Sequence, residues 1–278
     1  MFQGRRILIA TKHKKEDVLA PILESELGLK SFVLDDFDTD VFGTFTGEIT
    51  REGTPLDALR KKVELGLALT DVDIAIASEG SFGPHPTVFF VPAADEVLLF
   101  RDKKNDLEIV AREITTDTNF GSAEVQSQEE LLAFAEKSLF PSHALILSGV
   151  DDNASAFVKG ITSQDELLSV FQELKCKAKT VLVQTDMRAL YNPTRMKTIE
   201  RACHKLIKNI MSTCPGCVTP GYSVSDVLSG LPCSLCGRPT KSTLAHQYVC
   251  KKCGHEERRY YPSLKLEEDP TFCDYCNP

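Results

Sequence analysis

Apolar residues recur along the chain in two periods, and the change from one to the other divides it into elements. Arg5-Arg-Ile-Leu-Ile-Ala10 is a short apolar run closed by the polar stretch Thr11-Lys-His-Lys-Lys15, which reads as a strand and its turn. Val18, Leu19, Ile22, Leu23 and Leu27 then return every three to four residues, the spacing of one helix face over about 16–27. A second strand is expected over 31–34. Asp35, Asp36, Asp38 and Asp40 follow it, too many acids to share a core, and so form a solvated loop or the rim of a metal site. The segment around Gly43, Glu48 and Arg51 leads into a helix with Thr54 as N-cap, Pro55 at its first position and an apolar face of Leu56, Leu59, Val63 and Leu67. Asp73-Ile-Ala-Ile-Ala77 reads as a buried strand. Gly80, Gly83, Pro84 and Pro86 are expected to end it, leaving Ser78, Glu79, Ser81 and His85 where its C-terminal end opens.

Beyond that point, strands are expected over 88–91, 96–101 and 107–114, an antiparallel meander with a turn at Asp102-Lys-Lys-Asn-Asp106. Thr115 to Gly121 is polar and turn-rich. A serine-capped helix over 127–138, a strand entered through Phe140-Pro-Ser-His143, a helix over 163–174 and a strand over 180–184 complete the alternation. Asn192-Pro193-Thr194 then starts a long helix reaching about residue 211. These elements predict an α/β fold with a mixed sheet, carrying a C-terminal zinc-ribbon-like module. The domains are expected at 1–212, catalytic, and 213–278, zinc-binding.

The chain has 278 residues, 42% hydrophobic and 26% charged, enough for two domains with a sizeable core. A net charge of −8 argues against a general polyanion-binding surface while leaving room for local basic patches. No apolar run approaches the roughly 18–20 residues that span a bilayer, and the N-terminal apolar stretch is too short for a signal peptide; a cytoplasmic protein without a membrane partner is expected.

Cysteine usage changes the picture most. Eight of the ten cysteines fall in four Cys-x-x-Cys pairs: Cys214/Cys217, Cys233/Cys236, Cys250/Cys253 and Cys273/Cys276. Four thiolate pairs behind a cysteine-poor domain indicate two tetrahedral zinc sites of four cysteines each, structural because no ligand position is left open. The 13 residues between the inner pairs suit a zinc ribbon, so the inner pairs are expected to share one metal and the outer pairs the other, with sequential and interleaved pairings as alternatives. Lys251, Lys252, Arg258, Arg259, Tyr260 and Tyr261 could stack on a nucleic-acid single strand. Seven basic against seven acidic residues from Cys214 onward favour a bracing role instead.

Candidate chemistry sits at strand ends. Glu79, flanked by small residues, could hold a divalent metal. Thr11, His13, Lys14 and Lys15 lie at a helix start suited to an anion, and Lys62 is one of three cations on its helix that could turn toward Glu79. Asp117, Thr118 and Asn119 could bond a sugar, phosphate or base, although turns favour the same residues. Asp186 stands past a buried strand, followed by Arg188, Asn192 and Arg195. Between Asp186 and Ser212 six Lys/Arg face two acids, a local +4 that favours an anionic ligand or an internal salt-bridge network. His143 and His85 are the candidate general bases, with a structural role the commoner one for His143.

The N-terminal third resembles the inosine and xanthosine triphosphate pyrophosphatases in its motif order: Ile7-Leu-Ile-Ala-Thr11-Lys-His13-Lys-Lys15, Thr54-Pro-Leu-Asp57-Ala-Leu-Arg-Lys-Lys62 and Ile76-Ala-Ser78-Glu79-Gly80-Ser81. Thr11 matches the first position of that family's phosphate-gripping turn, Lys62 its helix lysine and Glu79 its magnesium-binding strand end. His13, Glu16 and Ala58 stand where the family has Asn, Lys and Asn. Ser78-Glu-Gly-Ser-Phe-Gly-Pro-His-Pro86, Asp186-Met-Arg-Ala with Asn192-Pro-Thr-Arg195, and the terminal Cys273-Asp-Tyr-Cys276-Asn-Pro are similar to a bacterial family of unknown function.

Together these readings lead to a metal-dependent hydrolase of a nucleotide or other phosphorylated small molecule. Glu79, with or without Asp186, would hold Mg2+ or Mn2+; Lys15, Lys62, Arg188 and Arg195 would offset phosphate charge; Thr11, His13, Ser78, Ser81, Asn119 and Asn192 would contact substrate; and His85 or His143 would act as base. The alternative is a non-catalytic nucleic-acid or protein adaptor using the zinc module and a basic stripe from Arg195 to Arg259. The two readings differ in one geometric respect: the enzyme requires Glu79, Asp186 and the two arginines to converge.

Overall fold

A computed structural model of the chain describes residues 1–35, 37, 53–150 and 157–278. Asp36, Asp38 and Asp40 of the acidic loop, and Gly43, Glu48 and Arg51 before the second helix, lie outside the described residues. The described chain forms two units, Met1–Ile207 and Lys208–Pro278.

The first unit opens with β1 (Arg6–Ile9), α1 (Glu16–Leu27) and β2 (Lys30–Phe32). α1 ends at Gly28, whose left-handed φ of 64° lets its amide close on the Glu24 carbonyl. α2 (Pro55–Ala68) starts from a reciprocal cap in which Thr54 accepts from the Asp57 amide and Asp57 accepts from the Thr54 amide. β3 (Ile74–Pro84), β4 (Pro92–Asp102) and β5 (Leu107–Thr115) complete a five-stranded sheet in the order β2-β1-β3-β4-β5. β1 runs parallel to β2 and β3, whereas β3, β4 and β5 pair antiparallel, so the sheet is mixed as expected.

Two expectations fail here. β3 does not stop at Ala77 but continues to Pro84, paired with β4 from Ile74↔Asp102 to Pro84↔Pro92. The 88–91 stretch is not a strand but the hairpin tip, closed by His85 N–H to the Val91 carbonyl and by the Thr87 and Val88 amides donating to His85 Nδ1. Pro84 is tolerated because it falls at the hairpin's end, where the ladder is finishing.

Alternation along β3 divides its side chains between two faces. Ala75 and Ala77 join Leu8, Ala10 and Leu99 under Leu59, Val63 and Leu67 of α2. Ile76, Ser78 and Gly80, with cross-strand neighbours Leu98 and Glu96, therefore occupy the opposite face.

A second sheet, order β6-β9-β7-β8, comprises β6 (Ser122–Val125), β7 (Leu145–Gly149), β8 (Phe157–Ile161) and β9 (Val181–Thr185), all antiparallel. α3 (Gln128–Lys137) and α4 (Gln164–Lys175) bury Leu131, Leu167, Phe171 and Leu174 against Leu145, Leu147, Val181 and Val183. β6 and β8 were not anticipated: four- and five-residue strands carry too few alternations to stand out. α5 (Pro193–Met211) follows, and the division between the units falls within it. The second unit holds β10 (Val224–Ser229), β11 (Thr243–Val249) and β12 (Glu256–Tyr260) in an antiparallel sheet. Among the described residues no helix is long and apolar enough to cross a membrane.

Candidate functional site

β1 runs out before β3 does. Its last register pair is Ile9↔Ile76, extended by Ala10 N–H to the Ile76 carbonyl, and from Ser78 onward β4 alone flanks β3 among the described strands. The Ser78 carbonyl, two residues beyond that of Ile76, points to the same open side. Lys15, at the start of α1, takes the place of the missing strand: its Nζ donates to Ser78 O at 3.0 Å and to Ser78 Oγ at 2.7 Å. From the other face, Lys62 of α2 reaches Glu79 Oε2 at 2.5 Å, as the helix pattern allows.

Glu96, opposite Gly80 on β4, binds the cluster together. It lies 3.6 Å from Lys15 and accepts from Arg195 Nε at 3.2 Å and Nη2 at 3.3 Å, while Arg195 Nη1 donates to the Met187 carbonyl at 2.6 Å. Gly80 makes room for this ion pair, since a Cβ there would sit 2.4 Å from Glu96 Oε2 and 2.6 Å from Arg195 Nη2.

Lys15, Lys62, Glu79, Glu96 and Arg195 are all buried, three cations against two carboxylates. Burial pushes the Lys15 ammonium down to about 8, with Glu96 opposing and Arg195 adding to the shift. Burial would raise the Glu96 carboxyl, but Arg195 and Lys15 outweigh it and hold it below its ordinary value. Beside them Thr11, just past the end of β1, buries a hydroxyl with no hydrogen-bond partner among the described residues.

The other expected site residues go elsewhere. Asp186 is fully buried, and its carboxylate is gripped by the Arg188 amide at 3.0 Å and by the Arg188 guanidinium at 2.6–3.1 Å. Glu79 and Asp186 thus each face a different cation, and Arg188 is engaged by its own neighbour. Outside the cysteine clusters, no three acidic, histidine or cysteine side chains converge among the described residues. Asn192 caps α5 by accepting from the Arg195 amide at 2.9 Å, and its Nδ2 donates to Asn119 Oδ1 at 2.9 Å. Asn119 in turn donates to the Ser138 carbonyl, so both asparagines tie loops together. Ser81 shares the Glu79 face, and His13 lies half-buried in the turn before α1. His85 sits in the hairpin tip, past the last register pair Pro84↔Pro92, with its Nδ1 occupied by the two tip amides.

His143 stands at the start of α5, where its Nε2 accepts from the Thr194 amide at 3.3 Å and its Nδ1 lies 2.9 Å from Ser142 Oγ. Burial holds its pKa below the ordinary 6.5. The folded state therefore binds this proton less readily than the unfolded chain. Stability is full above the unfolded value and falls as pH drops below about 6.5. Urea unfolding across about pH 5–8 should show this loss, and His143→Gln should flatten it; an unchanged slope in the variant would refute the assignment.

Glu96 escaped the sequence reading, although a signal was present: it shares the inward period with Leu98 and Phe100, where a charge needs a buried partner.

In the second unit the eight cysteines form two clusters, Cys214/Cys217/Cys250/Cys253 and Cys233/Cys236/Cys273/Cys276. The pairing is interleaved, not inner with inner, and the sheet explains why. Val224 pairs with Tyr248, so the chain entering β10 meets the exit of β11, where Cys250 follows. At the other end Ser229 pairs with Thr243 and Tyr260 with Ala245, which brings Cys233 to the side from which Cys273 departs. Sulfur separations of 3.7 and 3.6 Å in the first cluster and 3.9 and 3.7 Å in the second fit a zinc tetrahedron, whose Zn–S bonds near 2.3 Å place sulfurs about 3.8 Å apart. All four pairs share one turn, in which the amide after the second cysteine donates to the first cysteine's carbonyl. Val218 takes there the left-handed conformation of Gly237 and Gly254. Amides of Gly216 and Leu235 also point at sulfurs.

Residues 62–278 match the family described as a domain of unknown function (DUF6671). The chain belongs to that family. The matched DUF6671 region holds both cysteine clusters together with Lys62, Glu79, Glu96 and Arg195, while Thr11 and Lys15 precede it. No curated protein matches the chain.

Proposed function

We propose that the buried charged cluster at the edge of β3 binds the phosphate of a nucleotide or another phosphorylated small molecule and hydrolyses it. The observation that carries this reading is the approach of Lys15 and Lys62 to Ser78 and Glu79 from the two faces of the sheet, with the buried Thr11 hydroxyl, which has no partner among the described residues, at the end of β1. Two lysines and an arginine buried in one cluster are positioned to give an anion charge-assisted hydrogen bonds away from bulk water. On binding, Lys62 exchanges Glu79 for a phosphate oxygen, and the released carboxylate takes a proton from the attacking water. The protein does not fit a metal of its own here, because Glu79 and Glu96 already have cationic partners and no third ligand joins them among the described residues. Mg2+ or Mn2+ enters, on this reading, as the substrate's counter-ion, supplying charge neutralisation to its phosphates.

The test is a screen of phosphate and pyrophosphate release by the zinc-loaded full chain over a nucleotide panel with Mg2+ or Mn2+. Turnover is expected, reduced by about 10²–10⁴-fold in Glu79→Gln. No release by folded protein carrying two zincs overturns the proposal. It would leave the adaptor reading, which exposed Leu235, Leu264, Leu266 and Phe272 of the zinc module favour. A nucleic-acid stripe finds less support: Arg195 is buried, and Arg201, Lys205 and Arg259 are ion-paired.

A further inference from the structure

We infer that Ser78 is a nucleophile and Lys15 its general base, a covalent phosphoryl-transfer pair within the charged cluster. The inference rests on the phosphate reading above for its substrate class, but the nucleophile itself can be tested without that substrate.

Three requirements of an activated serine meet at Ser78. Its Oγ is 2.7 Å from Lys15 Nζ, within proton-transfer reach. The base is itself oriented, by a 3.0 Å bond to the Ser78 carbonyl and by Glu96 at 3.6 Å. Donors for a phosphoryl oxygen lie alongside: the Thr11 hydroxyl, without a partner among the described residues, and the Gly80 amide, which alternation directs to the same open edge as the Ser78 carbonyl. In the resting state the ammonium donates to Ser78 Oγ and the Ser78 hydroxyl hydrogen-bonds Glu96. Loss of one proton turns Lys15 into an acceptor for the hydroxyl.

The surroundings make that loss accessible near neutrality. Lys15 is faced by Glu96 from β4, Arg195 from α5, Glu79 from β3 and Lys62 from α2; burial dominates, and its pKa falls to about 8. In the step itself the Ser78 Oγ–P bond forms as the bond from phosphorus to the leaving oxygen breaks. Lys15 takes and holds the serine proton, and the leaving oxygen departs with the electron pair of the broken bond. Water then attacks phosphorus as the Ser78 Oγ–P bond breaks: the Glu79 carboxylate takes one water proton, Lys15 returns its proton to Ser78 Oγ, and the phosphate leaves with the water's oxygen and other proton.

The experiment uses the zinc-loaded full chain and a fluorophosphonate, whose phosphorus accepts the serine oxygen and expels fluoride. The expected result is a single adduct on Ser78 by peptide mass spectrometry, forming faster with rising pH up to a midpoint near 8. It should be absent in Ser78→Ala and slowed at least about 100-fold in Lys15→Arg, which keeps the charge but does not give up its proton. Zinc content and near-ultraviolet circular dichroism confirm that each variant is folded. No adduct on Ser78 at about pH 9, or equal labelling of Lys15→Arg and wild type, overturns the inference. The two proposals fail separately: labelling without turnover on the nucleotide panel removes the hydrolase reading alone, and wild-type turnover by Ser78→Ala removes the nucleophile alone.

Discussion

Removing zinc with a chelator is expected to unfold residues 208–278, with the loss of their β-sheet signal. The buried cluster of this unit consists of Cys214, Tyr222 and Cys250, with Cys217 and Tyr248 packed against it, so its interior is largely the metal ligands. β10 and β12 expose most of their side chains and bury too little apolar surface to offset the entropy of ordering the chain. Structural zinc contributes about 10–16 kcal/mol in such small domains, far more than the strands supply. The interleaved pairing gives the experiment a sharper form. Cys217→Ala with Cys253→Ala damages one cluster and should leave one zinc per chain. Cys217→Ala with Cys276→Ala damages both and should leave none tightly held. An inner-with-inner arrangement predicts the reverse, so metal analysis of the two double variants decides between them.

The cysteine pairs illustrate where sequence reading succeeds and where it stops. Spacing identifies the ligands, because a Cys-x-x-Cys turn is a local device that works wherever it is placed. Which turns share a metal depends on which strand ends meet, and that follows from the register of β10, β11 and β12, which spacing alone does not encode. α1 was legible in its bounds, and α2 down to its cap residue, for the same local reason. β3 was not. Gly80, Gly83 and Pro84 are turn formers by propensity, but Gly80 lies inside the strand because an ion pair from β4 and α5 rests against it. Lys62 was one of three cations on its helix that could turn toward Glu79, and it is the one that pairs with it. That Asp186 meets Arg188, two residues away, and Glu79 meets Lys62, on another element, depends on the local turn in one case and on tertiary packing in the other.

Glu96→Ala is expected to cost about 3–5 kcal/mol in urea unfolding of the zinc-loaded chain, the loss typical of stripping one partner from a buried ion pair. Two buried cations lose this carboxylate, Arg195 at 2% exposure and Lys15 at 7%. The Met187 carbonyl satisfies only part of the guanidinium, and the Phe82 ring, 5.3 Å from it, offers no hydrogen-bond acceptor in the plane of the lost carboxylate. Replacing both partners, Glu96→Leu with Arg195→Met, should recover much of that loss, because apolar groups of similar volume need no compensation. A double variant as unstable as Glu96→Ala would mean that shape rather than charge holds this part of the sheet. Glu96→Gln separates charge from shape in the site itself. Glu96 is the carboxylate that most opposes the downward shift of Lys15, so its neutralisation should move the Lys15 midpoint below about 8. A midpoint that rises or stays in Glu96→Gln would show that Lys15 does not sense Glu96, and the cluster would then lack the coupling on which its chemistry depends.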